Sequence, residues 1–201
     1  MSERKEKLIE AAIAILNRAG ADNLSMRTLA RELDRTAASL YNHVRNKQDL
    51  LGEIAEQMCA GYAMPDKSLP PLDYLLEANR AYRAMLLTVR DSSVVFEDSL
   101  PATPCRVAII RMISEAYITL GVPKETLMMV SNMVNNYVLS FVADERRFQS
   151  RTADEINALT NQLLPDVLPA VSPMDFDAQF EFGLQILFAG IKGLCGNKVV
   201  S

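Results

Sequence analysis

The segment from Leu24 to Lys47, which reads LSMRTLARELDRTAASLYNHVRNK, constrains the fold of this chain more than any other stretch. Ser25 and Thr36 are residue types that favour helix N-caps, and each is followed by apolar residues at helical spacing. These inward-facing residues are Leu29, Ala30 and Leu33 after the first cap, and Leu40 and Val44 after the second. The pattern predicts two helices of about two turns each, joined by a short turn, which is the arrangement of a helix-turn-helix.

The outward face of the second helix is small at its start and becomes polar and aromatic towards its end. It carries Ala37, Ala38, Ser39, Tyr41, Asn42 and His43. Such a face suits a helix whose N-terminal end enters the major groove of DNA. Any small helical domain can contain two short amphipathic helices, so periodicity alone leaves a purely structural helix pair as the alternative.

Two runs in this part of the chain, SMRTLAREL and SLYNHVRNKQDLL, carry a more specific pattern. They resemble the N-terminal DNA-binding domain of the TetR family of bacterial repressors, at that family's spacing from the N-terminus. The most particular part of the match is formed by Leu40, Tyr41, His43, Val44 and Lys47. One departure is Asp34, which stands where the family often has glycine in the turn. Aspartate tolerates a left-handed backbone better than most residues, so the turn is expected to form.

The resemblance implies a division of labour among the DNA-contacting side chains. Arg27 matches the family position from which an arginine reaches a base edge, and its guanidinium fits guanine O6 and N7. Ala37 and Ala38 can pack on a thymine methyl but cannot donate hydrogen bonds, so direct base readout is expected to be sparse there. Tyr41 can contact a base or a phosphate. The expected phosphate ligands are Ser39, Asn42, His43 and Lys47.

The chain is predicted to be all-α, because no segment shows the alternation of a half-buried strand. A first helix over residues 3–19, capped by Ser2, braces the helix-turn-helix, and a fourth helix begins after an Asn46 cap completed by Asp49. The proline-rich break that starts at Met64 marks the domain boundary. The predicted units are a DNA-binding domain (1–46), a linking helix (47–63) and a ligand-binding and dimerisation domain (64–201).

Beyond the break, the apolar periodicity predicts four long helices and one short one. The long helices are expected over Leu72–Arg90, Cys105–Leu120, Lys124–Arg147 and Phe176–Leu194, and the short one near Ala153–Leu163. The stretch from Asp91 to Pro104 is expected to be irregular, with Ser92, Ser93, Pro101 and Pro104 as breakers.

Charge and cysteine content narrow the function classes. The net charge is −4, but residues 1–50 hold nine basic against seven acidic side chains while residues 51–201 hold twelve against eighteen. A mildly basic N-terminal segment (1–50) followed by an acidic remainder (51–201) is consistent with DNA contact through the N-terminal segment alone. Cys59, Cys105 and Cys195 form no CxxC pair, which favours reduced thiols in a cytoplasmic protein over disulfides or structural zinc. No apolar run approaches a membrane span, so no membrane partner is expected.

An enzymatic function is not predicted. His43 is the only histidine, and the chain has no glycine-rich phosphate loop or nucleophile elbow. Asp144 and Glu145 are adjacent, and consecutive helical residues diverge by about 100°, so they are more consistent with a solvated helix end than with a catalytic pair. No cofactor and no metal are predicted.

The last helix predicts self-association. It is apolar around nearly its whole circumference, so it must be buried on two sides, either in a dimer or at the centre of a monomer. The resemblance implies that this helix and the one from Lys124 form a symmetric four-helix interface in a homodimer. The expected interface residues are Val134, Val138, Phe180, Gly183, Leu187, Gly190 and Ile191.

The body is also expected to hold a ligand pocket. Ten methionines are many for 201 residues, and methionine adapts to irregular apolar shapes, although filling a core is its commoner use. Arg90-Asp91, Leu100-Pro101 and Phe182-Gly183-Leu184 resemble the tetracycline-repressor branch, which extends the resemblance over nearly the whole chain. The expected lining residues are Tyr82, Met85, Phe96, Leu100, Pro101, Met112, Met128, Ser131, Asn132 and Asn135.

The resemblance also makes a negative prediction about metal. Tetracycline repressors bind a drug–magnesium chelate through a pocket histidine and a carboxylate of the partner subunit. The histidine position falls on Phe96 here, and the carboxylate falls near Asp144 or Glu145. Glu97 and Asp98 could supply magnesium ligands, but solvated loop charges are an equal explanation. The ligand is therefore expected to bind without metal, mainly through apolar contacts.

Together these patterns predict a homodimeric repressor that a small apolar or amphipathic inducer releases from a palindromic double-stranded operator. A constitutive DNA-binding dimer without an inducer is the first alternative. A helical interaction module without a DNA role is the second.

Overall fold

The computed structural model describes residues 3–152, 154–156, 158 and 175–196, and every regular element within those ranges is helical, as predicted. The DNA-binding end comprises α1 (Glu3–Ala19), a 3₁₀ turn (Ala21–Asn23), α2 (Met26–Glu32), α3 (Ala37–Leu40) and α4 (Lys47–Ala60). The body comprises α5 (Pro71–Leu86), α6 (Ser92–Glu97), α7 (Pro104–Leu120), α8 (Leu127–Gln149) and α9 (Phe176–Gly196). The predicted Ser2 cap and most of the short helix predicted near Ala153–Leu163 lie outside the described residues.

The helix-turn-helix forms with the predicted caps, but α3 has four residues and is shorter than the two turns expected. The Ser25 side chain accepts a hydrogen bond from the Thr28 backbone N–H at 3.1 Å, and the Thr36 side chain accepts one from the Ser39 N–H at 3.3 Å. Asp34 adopts a left-handed backbone with φ of 49° in the turn between them. The core beneath consists of α1 packed on α2 and α4, with Leu8, Ile15, Leu16, Leu29, Leu40 and Leu50 almost fully buried.

The start of α4 has the predicted cap with one difference. The Asn46 side chain accepts from the Asp49 N–H at 2.8 Å, but the Asp49 carboxylate reaches back to the N–H of Arg45 at 2.9 Å. Hydrogen bonds from the Arg45 side chain and backbone hold the pKa of Asp49 below its usual value. The helix ends at Ala60. Beyond it, the Tyr62 hydroxyl donates to the Ala78 carbonyl at 2.8 Å and ties the link to α5.

A short helix, α6, replaces part of the stretch that was expected to be irregular. Residues 92–97 are helical because Val95 and Phe96, one turn from the α5 end, are buried against the body. Asp91 takes a left-handed backbone, φ 56°, which reverses the chain between α5 and α6. The Ser92 hydroxyl then donates to the Leu86 carbonyl at 2.7 Å. The prediction of an irregular stretch is therefore wrong for residues 92–97: Ser92 and Ser93 open α6, and Pro104 opens α7.

Charged side chains of α5 fasten the last two helices to the body. The Arg83 guanidinium donates to both carboxylate oxygens of Glu145 on α8, each at 2.9 Å, and to Asp177 on α9. Arg80 binds Glu181 on α9 in the same bidentate way. Such planar pairs fix geometry as well as adding energy. They determine which face of α8 and α9 turns inward.

Besides the packing of α4 on α6 and α7, hydrogen bonds at two places join the DNA-binding end to the body within the described residues. The Glu56 carboxylate, on α4, accepts hydrogen bonds from the Cys105 backbone N–H at 2.9 and 3.0 Å and so caps α7. The Asp91 carboxylate, between α5 and α6, accepts from the Ala21 N–H at 2.8 Å, beside a bond from the Arg90 N–H to the Asn17 side chain. Each contact joins a helix end of one unit to the other unit.

Candidate DNA-binding surface and ligand cavity

The predicted DNA-contacting side chains surround the exposed side of α3. Ala38, Tyr41, Asn42 and Lys47 are exposed, and Arg27 is exposed nearby on α2 without a hydrogen bond or ion pair to any described residue. Ala37, Ser39 and His43 are half-buried, and Ala37 packs against the core. The Ser39 hydroxyl donates to the Thr36 carbonyl at 2.7 Å. Among the predicted contact residues, the surface therefore presents the unpaired guanidinium of Arg27, an aromatic ring and small groups, and its contacts with DNA stay a prediction.

The chain forms a partly open cavity of about 240 Å³ among α4, α5, α6, α7 and α8. Seven of the predicted lining residues are found there: Tyr82, Met85, Phe96, Pro101, Ser131, Asn132 and Asn135. Its walls also include Cys59, Tyr62, Asn79, Arg106, Ile109, Ile113 and Tyr117, among others. The volume is slightly below the roughly 300–1,000 Å³ of typical small-molecule sites, so the cavity suits a compact molecule.

Three residues predicted for this pocket lie outside it. Leu100 is 65% exposed and Met128 is 75% exposed, so neither side chain reaches the interior. Met112 lies on another side of α7 and lines a separate shallow depression with Tyr74 and Lys67. The expectation rested on segment and residue type. For Met112 it failed because neighbouring positions on a helix diverge by about 100° and only one face of α7 points inward. Leu100 lies in the loop before α7 and Met128 in the first turn of α8, where segment and residue type do not determine the side-chain direction.

The inner wall combines apolar surface with a few polar atoms. The Phe96 ring packs edge-on to Tyr82, with centroids 5.7 Å apart, and the Tyr82 hydroxyl donates to the Asn135 side chain at 3.2 Å. The Ser131 hydroxyl is buried and has no hydrogen-bond partner among the described residues. Burial raises the pKa of the Cys59 thiol to about 11, so this group is neutral at physiological pH. A bound molecule therefore meets mostly uncharged surface.

Arg106 is the functional candidate that the sequence did not reveal. It follows Pro104 at the start of α7, where nothing in the local pattern distinguishes a cavity arginine from a surface one. Its guanidinium lies over the Phe96 ring, 4.7 Å from the centroid, and donates to the Ser99 hydroxyl and to the Phe96 carbonyl. Burial lowers the pKa of this guanidinium, and no carboxylate offsets the effect.

Four of the predicted dimer residues are part of the chain's own core. Val134, Val138, Phe180 and Ile191 are at most 2% exposed within one chain, so they have no free surface for a partner and the prediction is corrected for them. Gly183 is half-buried and packs against the Tyr137 hydroxyl, which leaves no room for a Cβ. Leu187 is half-buried, and Gly190 is open. The inward stripe was assigned to the wrong side because both stripes are apolar.

An apolar face on the same two helices is exposed instead. It consists of Met128, Met129 and Met133 on α8 and Phe182, Ile186 and Leu194 on α9, and we refer to it as the α8/α9 face. Monomeric proteins seldom leave several large apolar side chains exposed together. The sequence indicated two apolar sides for these helices, and the bidentate arginine contacts decide which of them remains outside.

The positions that correspond to metal ligands in tetracycline repressors are occupied by other interactions. Phe96 is buried against Tyr82, the Glu145 carboxylate is bound by Arg83, and Asp144 pairs with Arg147 at 2.9 Å. Within the described residues, no group of three or more His, Cys, Asp or Glu side chains could hold a metal ion. In the same part of the chain, no helix has the length and hydropathy needed to cross a bilayer.

Comparison with known proteins matches both ends of the chain. Residues 72–195 match the family described as "Tetracyclin repressor-like, C-terminal domain", and residues 8–54 match "Bacterial regulatory proteins, tetR family". The tetracycline repressor protein class A from transposon 1721 of Escherichia coli is 30% identical over 190 residues, which cover 92% of this chain and 88% of that protein.

Solved structures agree over the same length. The Streptomyces coelicolor TetR family protein ActR, in complex with actinorhodin, has a TM-score of 0.83 at 25% identity, covering 98% of this chain and 100% of that one. Mycobacterium smegmatis BioQ has a TM-score of 0.77 at 31% identity, covering 94% and 98%. BioQ with its natural double-stranded DNA operator has a TM-score of 0.73 at 30% identity, covering 94% and 97%.

Proposed function

The chain belongs to the tetR family of bacterial regulatory proteins, and on this premise we propose that it is a ligand-released transcriptional repressor. As a family member it is a DNA-binding transcriptional regulator and not an enzyme. The proposal adds that it works in the cytoplasm as a homodimer on a palindromic operator. A small apolar or amphipathic molecule releases it.

One observation carries the proposal. Cys59, near the end of α4, lines the cavity, and α4 is the helix that directly follows the helix-turn-helix. A molecule that fills the cavity therefore contacts the helix on which the DNA-reading surface is mounted. A ligand shifts an equilibrium between two conformations only if it binds one of them more tightly than the other. Because α4 forms part of the cavity wall, a ligand in the cavity can bind one orientation of α4 more tightly and so favour it.

The DNA-binding part of the proposal rests on the exposed residues of α2 and α3. Arg27 is exposed and unpaired, so it is free to approach a base edge, and Tyr41, Asn42 and Lys47 are exposed groups of the kind that bind phosphates. BioQ, a relative of the same fold, has been solved on its natural double-stranded operator. One module this small contacts few bases, so two symmetric copies are needed for specificity.

The dimer part of the proposal rests on the α8/α9 face. Pairing this face with a second copy of itself buries its methionine, phenylalanine and isoleucine side chains and leaves both α3 helices free. The open surface at Gly190 allows the two α9 helices to approach closely. An isologous contact of this kind gives the two-fold symmetry that a palindromic operator requires.

The ligand part of the proposal includes binding without a divalent metal. Phe96, at the histidine position, packs against Tyr82, and Glu145, near the carboxylate position, is bound by Arg83. A ligand is held instead by the apolar walls, while Ser131 and the amides of α8 orient it.

A mobility-shift assay on DNA fragments that flank the gene tests the whole proposal. We expect a slower-migrating protein–DNA complex. Candidate ligands should dissociate this complex equally well with and without EDTA. Arg27→Ala should lose about 1–3 kcal/mol of affinity for the operator but little for random DNA. Arg111→Ala, an exposed arginine on α7, is the matched control and should bind normally.

Each alternative predicts a different result in this assay. A complex that no ligand dissolves would indicate a constitutive DNA-binding dimer. No complex with any fragment would contradict a DNA role, and loss of ligand release on chelation would contradict a metal-free pocket.

A further inference from the structure

The cavity contains a single charge. Among the described residues that line the cavity, Arg106 is the one side chain that is charged at neutral pH. The other polar groups of the lining are hydroxyls, amides and a thiol. No aspartate or glutamate among the described residues forms a salt bridge with Arg106. A partly buried cation without a counter-charge is costly, and proteins usually pair it.

The hydrogen bonds of Arg106 leave part of the guanidinium unused. Nη1 donates to the Ser99 hydroxyl at 2.7 Å and to the Ser99 carbonyl at 3.3 Å, and Nη2 donates to the Phe96 carbonyl at 2.8 Å. A guanidinium has five N–H donors. The Nε–H and one Nη2–H therefore have no acceptor among the described residues, although the side chain is fixed by its other bonds.

The packing of Arg106 holds it in place without neutralising it. The Phe96 ring beneath the guanidinium contributes a cation–π contact, which is worth less than an ion pair and accepts none of the remaining N–H groups. The carbonyl and hydroxyl acceptors are neutral dipoles. A rigid cation with free donors on a largely apolar wall is a ready site for an anion, because desolvation strengthens charge-assisted hydrogen bonds.

We propose that the ligand of this cavity is an amphipathic organic acid whose carboxylate binds Arg106. The inference rests on the proposed ligand-binding function and specifies the chemical class of the molecule. The apolar body of the acid lies against Tyr82, Ile109 and Ile113, and a polar atom at its far end accepts or donates a hydrogen bond at the unpartnered Ser131 hydroxyl. The size of the cavity limits the body to about one or two fused rings.

The test compares an acid with its neutral isostere. Benzoate, 2-naphthoate and 2-naphthamide are titrated into the full-length protein by calorimetry, without DNA. We expect 2-naphthoate to bind about 10- to 100-fold more tightly than 2-naphthamide, as a charge-assisted pair implies. Arg106→Met should remove this preference by weakening the acid only, while Arg111→Met, an exposed arginine on the same helix, should keep it.

Several outcomes would overturn the inference. Equal affinity of wild-type protein for the acid and the amide would do so, as would failure of both acids to bind at millimolar concentration. If Arg106→Met lowered the affinity for the acid and for the amide equally, Arg106 would have a purely structural role. If that variant does not fold, Arg106→Lys decides, because it keeps the charge and should retain part of the preference for the acid.

The same ligands in the mobility-shift assay separate this inference from the proposed function. Arg106-dependent acid binding without release of DNA would support the subsite and contradict ligand-controlled repression. Release of DNA by neutral molecules alone would contradict the subsite and leave the proposed function intact.

Discussion

Asp34 holds the left-handed backbone on which the turn between α2 and α3 depends, with φ at 49°. The residue is exposed, so its conformation rather than its contacts decides which substitutions the turn accepts. A left-handed conformation excludes β-branched side chains most strongly and glycine least.

A pair of substitutions at Asp34 measures this strain. Asp34→Gly is expected to keep the free energy of unfolding within about 1 kcal/mol of wild type, because glycine relieves strain but adds entropy to the unfolded chain. Asp34→Val should lower it by about 1–3 kcal/mol. Urea denaturation followed by circular dichroism measures both, and a valine variant as stable as the glycine variant would contradict the strained turn.

Glu56 provides a second prediction, with a defined pH dependence. Burial acts to raise the pKa of its carboxyl, but hydrogen bonds from the Cys105 and Arg106 backbone outweigh burial, and the pKa lies below its usual value. A lowered pKa in the folded state means that the cap stabilises fully above the ordinary glutamate pKa of about 4.3. That contribution is lost as the pH falls through the lowered value.

Glu56→Gln is therefore expected to cost about 1–2 kcal/mol at neutral pH and progressively less in acid. Thermal unfolding of wild type and variant from neutral to acidic pH checks this. Glu97→Gln removes an exposed carboxylate and serves as the control, since it should shift stability little at any pH. A Glu56 effect that does not shrink in acid would contradict a role for the charge.

At this scale the sequence predicted most of the local conformations and missed the long-range partners. The caps at Ser25, Thr36 and Asn46 follow from residue type and spacing, because a cap bonds within its own turn. Arg106 could not be assigned to the cavity in this way. Its surroundings come from α5 and α6, which the chain brings together only when it is folded.

The α8/α9 face is the feature on which element-scale predictions depend. Helix periodicity showed that both helices carry two apolar stripes, but it gave no means of choosing the inward one. In the fold, Phe180 and Val138 face the core, and the bidentate contacts of Arg80 with Glu181 and of Arg83 with Glu145 are consistent with this orientation of α9 and α8. Packing between distant elements decided what the local pattern left open.

Two isoleucines of similar exposure test the interface. Ile186→Glu, on the α8/α9 face, places an unpaired charge in the proposed contact and should shift the protein from dimer to monomer in sedimentation experiments. Ile118→Glu, on α7, should leave the dimer intact, because Ile118 is exposed to a comparable degree but lies off this face. Dimers of equal stability in both variants would place the interface elsewhere.

The whole molecule consists of a DNA-reading end and a ligand-holding body that meet at Glu56 and Asp91. The class of fold and the presence of both units were predictable, since each needs only helices with an apolar face. The composition of the cavity was predictable in part. The segments in which Tyr82, Phe96 and Ser131 lie were enough to predict that these residues line the cavity. Which side of α7 faces the cavity could be seen only in the folded structure.

Removing a contact between the DNA-binding end and the body should change how strongly ligand binding affects DNA binding. It should leave the affinity for the ligand itself unchanged. Asp91→Gly deletes the acceptor for the Ala21 N–H and tolerates the left-handed backbone at this position, so Arg27 and the cavity residues keep their surroundings. We expect the ligand affinity measured without DNA to be unchanged. The ligand concentration that dissociates the protein–DNA complex should shift. Calorimetry and mobility shift on the same protein check the two halves, and a change in ligand affinity alone would contradict the assignment.

The separation of these contacts from both binding surfaces has a consequence for how such a switch is adjusted. The concentration at which a regulator responds depends on its affinities and on the energy gap between its two states. Under the proposed mechanism, single carboxylates outside the operator contacts and outside the ligand wall contribute to that gap. Substitutions at Glu56 or Asp91 can therefore move the threshold of a dose–response curve, for a biosensor or in evolution, while the operator and the inducer stay the same.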